Sequence, residues 1–282
     1  VKRLILNADD FGLTSGVNRA IAELSRAGTL TSTTIMAVAN ATPEAAALAR
    51  ELPQLGVGCH IVLIDGAPVL PPSELPTLVD PSTGRFRSSL AKFISDAFRK
   101  RIRPEEIEAE AEAQIARARS FGLTPTHIDT HKHTHMSPLV LKPLIQAAKR
   151  QGIHAIRNPF EPDWSLAATP GAPLLRRLQV RLLKRFEPAF RQLMRDSGLA
   201  TPDGTIGVLA TGTLGPSSLQ SFLRSLPEGT WELVTHPGYN DADLAKAGTR
   251  LLAARALEFE AIRDLQFAPD IELIHFGQLA SV

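Results

Sequence analysis

The sequence holds one cysteine, Cys59, one tyrosine and two tryptophans in 282 residues. A lone cysteine excludes an internal disulfide and fits a reducing compartment, so a cytoplasmic location is expected. Scarce tryptophan and tyrosine exclude an extended aromatic platform for a polymeric ligand, although Trp164, Trp231 and Tyr239 leave room for stacking on a single ring. No run of about 18 apolar residues occurs, so no membrane-spanning helix is expected. The opening VKRLILNADD has an apolar stretch too short for a secretory leader. Lys and Arg (31) nearly balance Asp and Glu (29), and a net charge of +2 offers no electrostatic footprint for nucleic acid. Also absent is a GxGxxG after the first apolar run, the main sign of a dinucleotide-binding open sheet.

What remains is a globular composition, 44% hydrophobic and 21% charged. Short β-type runs at 1–9, 32–39, 56–64, 126–131, 155–158, 205–210, 230–235 and 271–276 alternate with helical patterns. The helical patterns cover 15–27, 43–52, 89–100, 104–121, 138–151, 174–195, 217–226 and 244–265. A proline-rich insertion at 65–87 is long enough to be an active-site loop. Such alternation argues for parallel strands joined by crossover helices. Seven or eight units without a break in composition predict an α/β fold, an irregular (β/α) barrel of the TIM type. It would form one domain over residues 1–282, with a doubly wound open sheet as the alternative.

The unusual polar residues fall at strand ends. Asp9 and Asp10 close the first run, His60 lies in the third, and Asp129 and His131 close the fourth. Arg157 and Asn158 close the fifth, and His236 follows the 230–235 run. In a βα barrel these ends open on one face, where active sites are built. Within THIDTHKHTH (126–135), strand alternation puts His127, Asp129 and His131 on one face, with His133 and His135 in the loop at the rim. His131 is then the candidate ligand, while His127 and Asp129 orient it or line the barrel. Mixed imidazole and carboxylate donors suit one divalent cation, Zn²⁺ or another first-row metal, or Mg²⁺ with added water. The adjacent Asp9–Asp10 pair permits one carboxylate to bind the ion and the other to accept a proton. Neighbours in extended chain face opposite ways, so both serve one site only if the strand ends there, as Phe11-Gly12 allows.

Four motifs in order, NADDFG, GCH, THIDTHKHTH and THPG, resemble the YdjC-like carbohydrate deacetylase family over nearly the whole chain. The resemblance implies an irregular barrel and a metal-dependent hydrolase that removes the N-acetyl group of an amino sugar with activated water. Carried over by motif, it implies Asp10, His60 and His131 as metal ligands, Asp9 as general base and His236 as the acid that protonates the leaving amine. It gives Arg157 a substrate-orienting role. The segment APVLPPSELPTLVD and the following GRF resemble the branch associated with hopanoid biosynthesis, implying an N-acetylglucosaminyl lipid as substrate. A metal hydrolase of another amide or a phosphoester, and a non-catalytic sugar-binding barrel, are the competing readings.

The 174–195 helix carries Leu175, Leu178, Leu182, Phe186, Phe190 and Leu193 at three-to-four spacing. Arg176, Arg177, Arg181, Lys184 and Arg185 crowd the same segment. Peripheral contact with an anionic membrane and an outer barrel helix with a solvated basic face both fit this pattern. Exposed apolar helices would also permit a homo-oligomer.

Overall fold

In the computed structural model, whose described residues are 1–169 and 171–279, the first apolar run forms β1 (Lys2–Phe11). Thr14 ends the following turn, its side chain accepting a hydrogen bond from Val17 N and so starting α1 (Ser15–Arg26). Next come β2 (Ser32–Ile35), α2 (Thr42–Arg50) and β3 (Gly56–Ile61). The insertion folds as a small hairpin of β4 (Val79–Asp80) and β5 (Arg85–Phe86). Helices α3 (Leu90–Phe98) and α4 (Pro104–Ser120) lead to β6 (Ile128–Thr130) and α5 (Pro138–Arg150). The second half contains α6 (Asp163–Ala168), α7 (Leu174–Leu183), α8 (Glu187–Ser197) and β7 (Gly204–Ile206). It finishes with α9 (Pro216–Ser225), β8 (Gly229–Thr235), α10 (Ala242–Lys246), α11 (Ala253–Arg263) and β9 (Ile271–Leu273). Proline stands in the first turn of α2, α4, α5, α8 and α9, where its missing N–H has no intrahelical partner to lose.

The strands form a curled parallel sheet in the order β6-β3-β2-β1-β8-β7, with β9 pairing the first residues of β1. This is the expected α/β architecture, realised as a half-barrel. Alternation along β1 sorts its side chains by layer. Leu4, Leu6 and Ala8 enter the large core under the helices, whereas Ile5 packs inside the curl with Ala155, Ala200, Ile274 and Phe276. Asn7 and Asp9 share the Ile5 side, so the interior turns from apolar at its base to polar at its mouth.

Three expectations change. The fifth strand at 155–158 is reduced to isolated parallel bridges, Ile128–Ile156 and Ala155–Ala200. Pro159, Pro162 and Pro202 flank these bridges and supply no N–H to extend a ladder. The single helix at 174–195 is two, α7 and α8, joined by a 3₁₀ turn at Lys184–Phe186 that runs into Pro188. The 244–265 pattern likewise divides into α10 and α11 around Gly248. Among the described residues no helix is long and apolar enough to cross a membrane.

Candidate active site

The two neighbouring aspartates reach the same space by a different route from the one the sequence indicates. β1 does not end at Asp9; it continues to Phe11. Its pairing with β2 steps from Ala8–Thr33 to Phe11–Ile35, a bulge that accommodates an extra residue. Asp10 occupies the left-handed region, φ 66°, within that bulge. The distortion turns Asp10 toward the interior beside Asp9, and both are buried.

Asp10, His60 and His131 converge there. His60 Nε2 lies 3.5 Å from Asp10 Oδ1, His131 Nδ1 lies 3.4 Å from the same oxygen, and the two nitrogens are 3.4 Å apart. Tetrahedral ligation at about 2.0–2.1 Å demands donor separations of about 3.4 Å, so this triangle fits a first-row divalent ion. The donor chemistry agrees, because two imidazoles and a carboxylate form a mixed N/O set. Asp129 supports the triangle from behind: His60 Nδ1 donates to its Oδ1 at 2.8 Å, which leaves Nε2 with its lone pair facing Asp10 and His131. Burial would lower the His60 pKa, yet Asp129 and both neighbouring aspartates raise it to about 9.

Arg157 is the hub beneath. Its Nη2 donates to Asp9 Oδ1 at 2.6 Å and Nη1 to Asp9 Oδ2 at 3.0 Å, while Nε donates to Glu232 Oε1 at 2.8 Å. Nη1 also pairs with Asp129. The guanidinium is 0% exposed, so the substrate-orienting contact expected of Arg157 is sterically closed; what it orients is carboxylates. Asp9 also accepts from Asn7 Nδ2 at 3.0 Å and Thr34 Oγ1 at 3.3 Å. Burial opposes ionisation of Asp9, but the Arg157 charge and hydrogen bonds outweigh it and hold the carboxyl well below the usual range. Glu232 bears the opposite balance: burial dominates and raises its pKa to about 7.

On the open side, His236 Nε2 stands 3.8 Å from Asp9 Oδ2, and its side chain keeps 12% exposure. Burial lowers its pKa to about 4, so the ring is neutral near pH 7. Its backbone N–H donates to Glu258 Oε2 at 2.6 Å. Arg255, three residues earlier on α11, donates from Nη2 to Asp10 Oδ2 at 2.5 Å. Arg255 and Glu258 went unnoticed in the sequence because AARALEFEAIR reads as an ordinary surface helix. Glu232 was detectable in principle, as a charge in the middle of an otherwise buried strand.

The remaining histidines of THIDTHKHTH divide by depth. His127 stacks on Phe276 with ring centroids 3.6 Å apart, deep in the curl. Gly58 makes room for it, since a Cβ there would come within 2.4–2.7 Å of the ring. His135, expected at the rim, is instead buried: its Nδ1 meets Thr130 Oγ1 at 2.6 Å and its Nε2 the Arg157 carbonyl at 3.2 Å. Lys132 and His133 adopt positive φ in the 3₁₀ turn after β6, and Lys132 forms an ion pair with Asp65. That pair ties the 65–87 insertion to the mouth. The insertion is pinned from below by Glu110, which accepts from Val69 and Leu70 N, and by Glu106, which accepts from Thr77 and Leu78 N. The aromatics are engaged elsewhere. Trp164 and Trp231 pack edge to face at 5.3 Å, and the Tyr239 hydroxyl donates to Glu23 at 2.6 Å.

Fold and site together define a class: a parallel α/β half-barrel with a carboxylate–imidazole triad at the carboxyl ends of its strands. The family described as "YdjC-like protein" matches residues 3–272, and the chain belongs to that family. It is 31% identical over 277 residues to a carbohydrate deacetylase of Thermoanaerobacter pseudethanolicus, covering 97% of each chain. A chitooligosaccharide deacetylase of Enterobacter sp. (strain 638) is 43% identical over 155 residues, 54% of this chain and 58% of that protein. Among solved structures, a putative cellobiose-phosphate cleavage protein of Enterococcus faecalis V583 superposes with a TM-score of 0.75 at 25% identity. That match spans 98% of this chain and 97% of the other.

Proposed function

We propose that this chain, taken as one domain, is a metal-dependent N-deacetylase acting on a small N-acetylated amino sugar or glycolipid. The observation that carries the reading is the Asp10–His60–His131 triangle opening toward Asp9 and His236, two groups able to move one proton. Asp10, His60 and His131 would hold the cation, which supplies Lewis acidity toward water and the acetamide carbonyl. Two imidazole donors favour Zn²⁺ or a similar first-row ion over Mg²⁺.

Asp9 takes a proton from the attacking water. Arg157 keeps it ionised and fixed, so its free edge faces the reacting centre. The proton then passes to His236, whose Nε2 stands 3.8 Å from Asp9 Oδ2. His236 delivers it to the leaving nitrogen, so that an amine and acetate depart and atoms balance. The phosphoester alternative calls for two ions. The second acidic group, Asp9, His60 and Asp129, shares His60 with the first and is already neutralised by Arg157, which opposes another cation. The likeness of 67–80 and 84–86 to the hopanoid-associated branch supports an N-acetylglucosaminyl lipid as the substrate.

The test is to incubate metal-loaded protein with N-acetylglucosamine, its β-1,4 oligomers and an N-acetylglucosaminyl lipid, and to follow acetate release and loss of one acetyl mass. We expect release from at least one substrate, abolished by a chelator and restored by Zn²⁺. No acetate from any of them overturns the reading.

A further inference from the structure

Helix α7 is turned inside out. Its single buried side chain is Val180, and its inward arginines act as anchors instead of a solvated face. Arg176 donates to the Val208 and Thr211 carbonyls at 2.9 Å, and Arg177 to the Thr169 carbonyl at 2.6 Å. The leucines point outward: Leu174, Leu175, Leu178 and Leu182 are 73%, 68%, 52% and 55% exposed. At 100° per residue these four fall within about 100° of one another, a continuous stripe. Arg181 and Arg185 flank it, both exposed. The stripe continues onto a second segment, because Phe186 packs on Phe98 of α3 with centroids 5.8 Å apart. Phe98 is itself half exposed, and Arg99 and Lys100 follow it on the surface. Among the described residues, no carboxylate lies within ion-pair distance of Arg99, Lys100, Arg181 or Arg185.

The position of the patch is informative. α3 follows the insertion that leaves β3, and α7 follows the segment that leaves the Ile156 bridge. Both therefore emerge from the carboxyl side of the sheet, the side that holds the site. Arg176 also fastens α7 to the loop after β7, on that same side.

We infer that α7 and the Phe98 end of α3 form a docking surface for an anionic lipid bilayer, with the leucine stripe entering the headgroup region. Unpaired cations beside exposed leucines match that surface in both charge and polarity. A second copy of this chain would bring the same cations against each other. Docking there brings the bilayer beside the mouth, which makes the substrate an amphiphilic N-acetylated glycolipid presented from the membrane. The substrate half rests on the deacetylase reading; the docking half does not.

The experiment is co-sedimentation of the full chain with phosphatidylcholine vesicles containing or lacking phosphatidylglycerol, at low and physiological salt. The expected result is binding to the anionic vesicles that weakens with salt. It should fall about fivefold for each cation removed in Arg181→Gln/Arg185→Gln and about tenfold or more in Leu178→Glu/Leu182→Glu. Circular dichroism and turnover of soluble N-acetylated chitobiose, unchanged in both double variants, would show that fold and site are intact. Absence of binding to anionic vesicles, or binding that neither double variant alters, overturns the proposal. So does a wild-type dimer in sedimentation velocity that Leu178→Glu/Leu182→Glu dissociates while vesicle binding is missing. If the wild type docks as expected but releases no acetate from soluble or vesicle-borne substrate, docking stands and the deacetylase reading fails.

Discussion

Two buried arginines hold the two neighbouring aspartates, and they are satisfied to different degrees. Arg157 distributes its donors over Asp9, Asp129 and Glu232. Arg255 meets Asp10 through Nη2, and among the described residues its Nε and Nη1 have no hydrogen-bond partner, nor has the nearby Glu258 Oε1. The first arrangement is closed and rigid. The second leaves Asp10 Oδ1 free toward His60 and His131 and keeps polar capacity in reserve beside it. The same chain dipeptide thus yields one carboxylate held on both oxygens by an arginine and one whose Oδ1 faces the two histidines.

The largest effect that would break this comparison is expected at Asp9. Asp9→Asn should lower kcat by about 10²–10⁴-fold while calorimetric metal affinity stays unchanged; a parallel loss of affinity would show that the two aspartates do not divide their duties. Arg157→Met should follow, destabilising the fold by about 3–5 kcal/mol in urea unfolding, because three buried carboxylates lose their counter-charge. A loss under about 1 kcal/mol would mean that the cluster relaxes to water. Arg255→Met is expected to weaken metal affinity by about 10–100-fold and, because one buried carboxylate loses its counter-charge instead of three, to lower the urea midpoint less than Arg157→Met does. Equal stability losses for the two arginines would erase the distinction.

The smallest effect concerns Glu232. Its pKa is raised in the fold from 4.5 to about 7, so the native state binds more protons than the unfolded chain in that window. By linkage, its contribution makes stability fall as pH rises from about 4.5 to about 7. Glu232→Gln should remove that contribution, gaining on the wild type by about 1 kcal/mol or more across the window. A wild-type-minus-variant difference that is flat with pH would place the negative charge elsewhere in the cluster.

Much of this site was legible in the sequence, for a physical reason. Parallel strands deliver their carboxyl ends to one face, so Asp9, Asp10, His60 and His131 could be placed on that face without knowing the sheet order, while the choice of Asp10, His60 and His131 as ligands came from the family resemblance. What could not be read depended on local distortion or on distance. The bulge that swings Asp10 inward leaves no pattern in NADDFG, which reads equally well as a strand that stops. Arg255 and Glu258 lie on a helix whose spacing gives no hint that its polar residues face a mouth. The leucines of α7 fit either a membrane-facing helix or an outer barrel helix, because hydrophobic periodicity locates a face without saying what it meets. The fifth strand failed where prolines remove the donors that a ladder requires.

The central place of β1 bears on how the chain acquires its structure. Lys2–Ala8 pair with Gly229–Thr235, and Lys2–Leu4 also pair with Ile271–Leu273. Both edges of β1 at Lys2–Leu4 therefore wait for segments that lie more than 200 residues further along the chain. At about 5–20 residues per second, roughly 10–50 s separate β1 from those partners on the ribosome. Until then that part of β1 stays unpaired, and the site is finished only when β8 brings His236 to Asp9 and α11 brings Arg255 to Asp10.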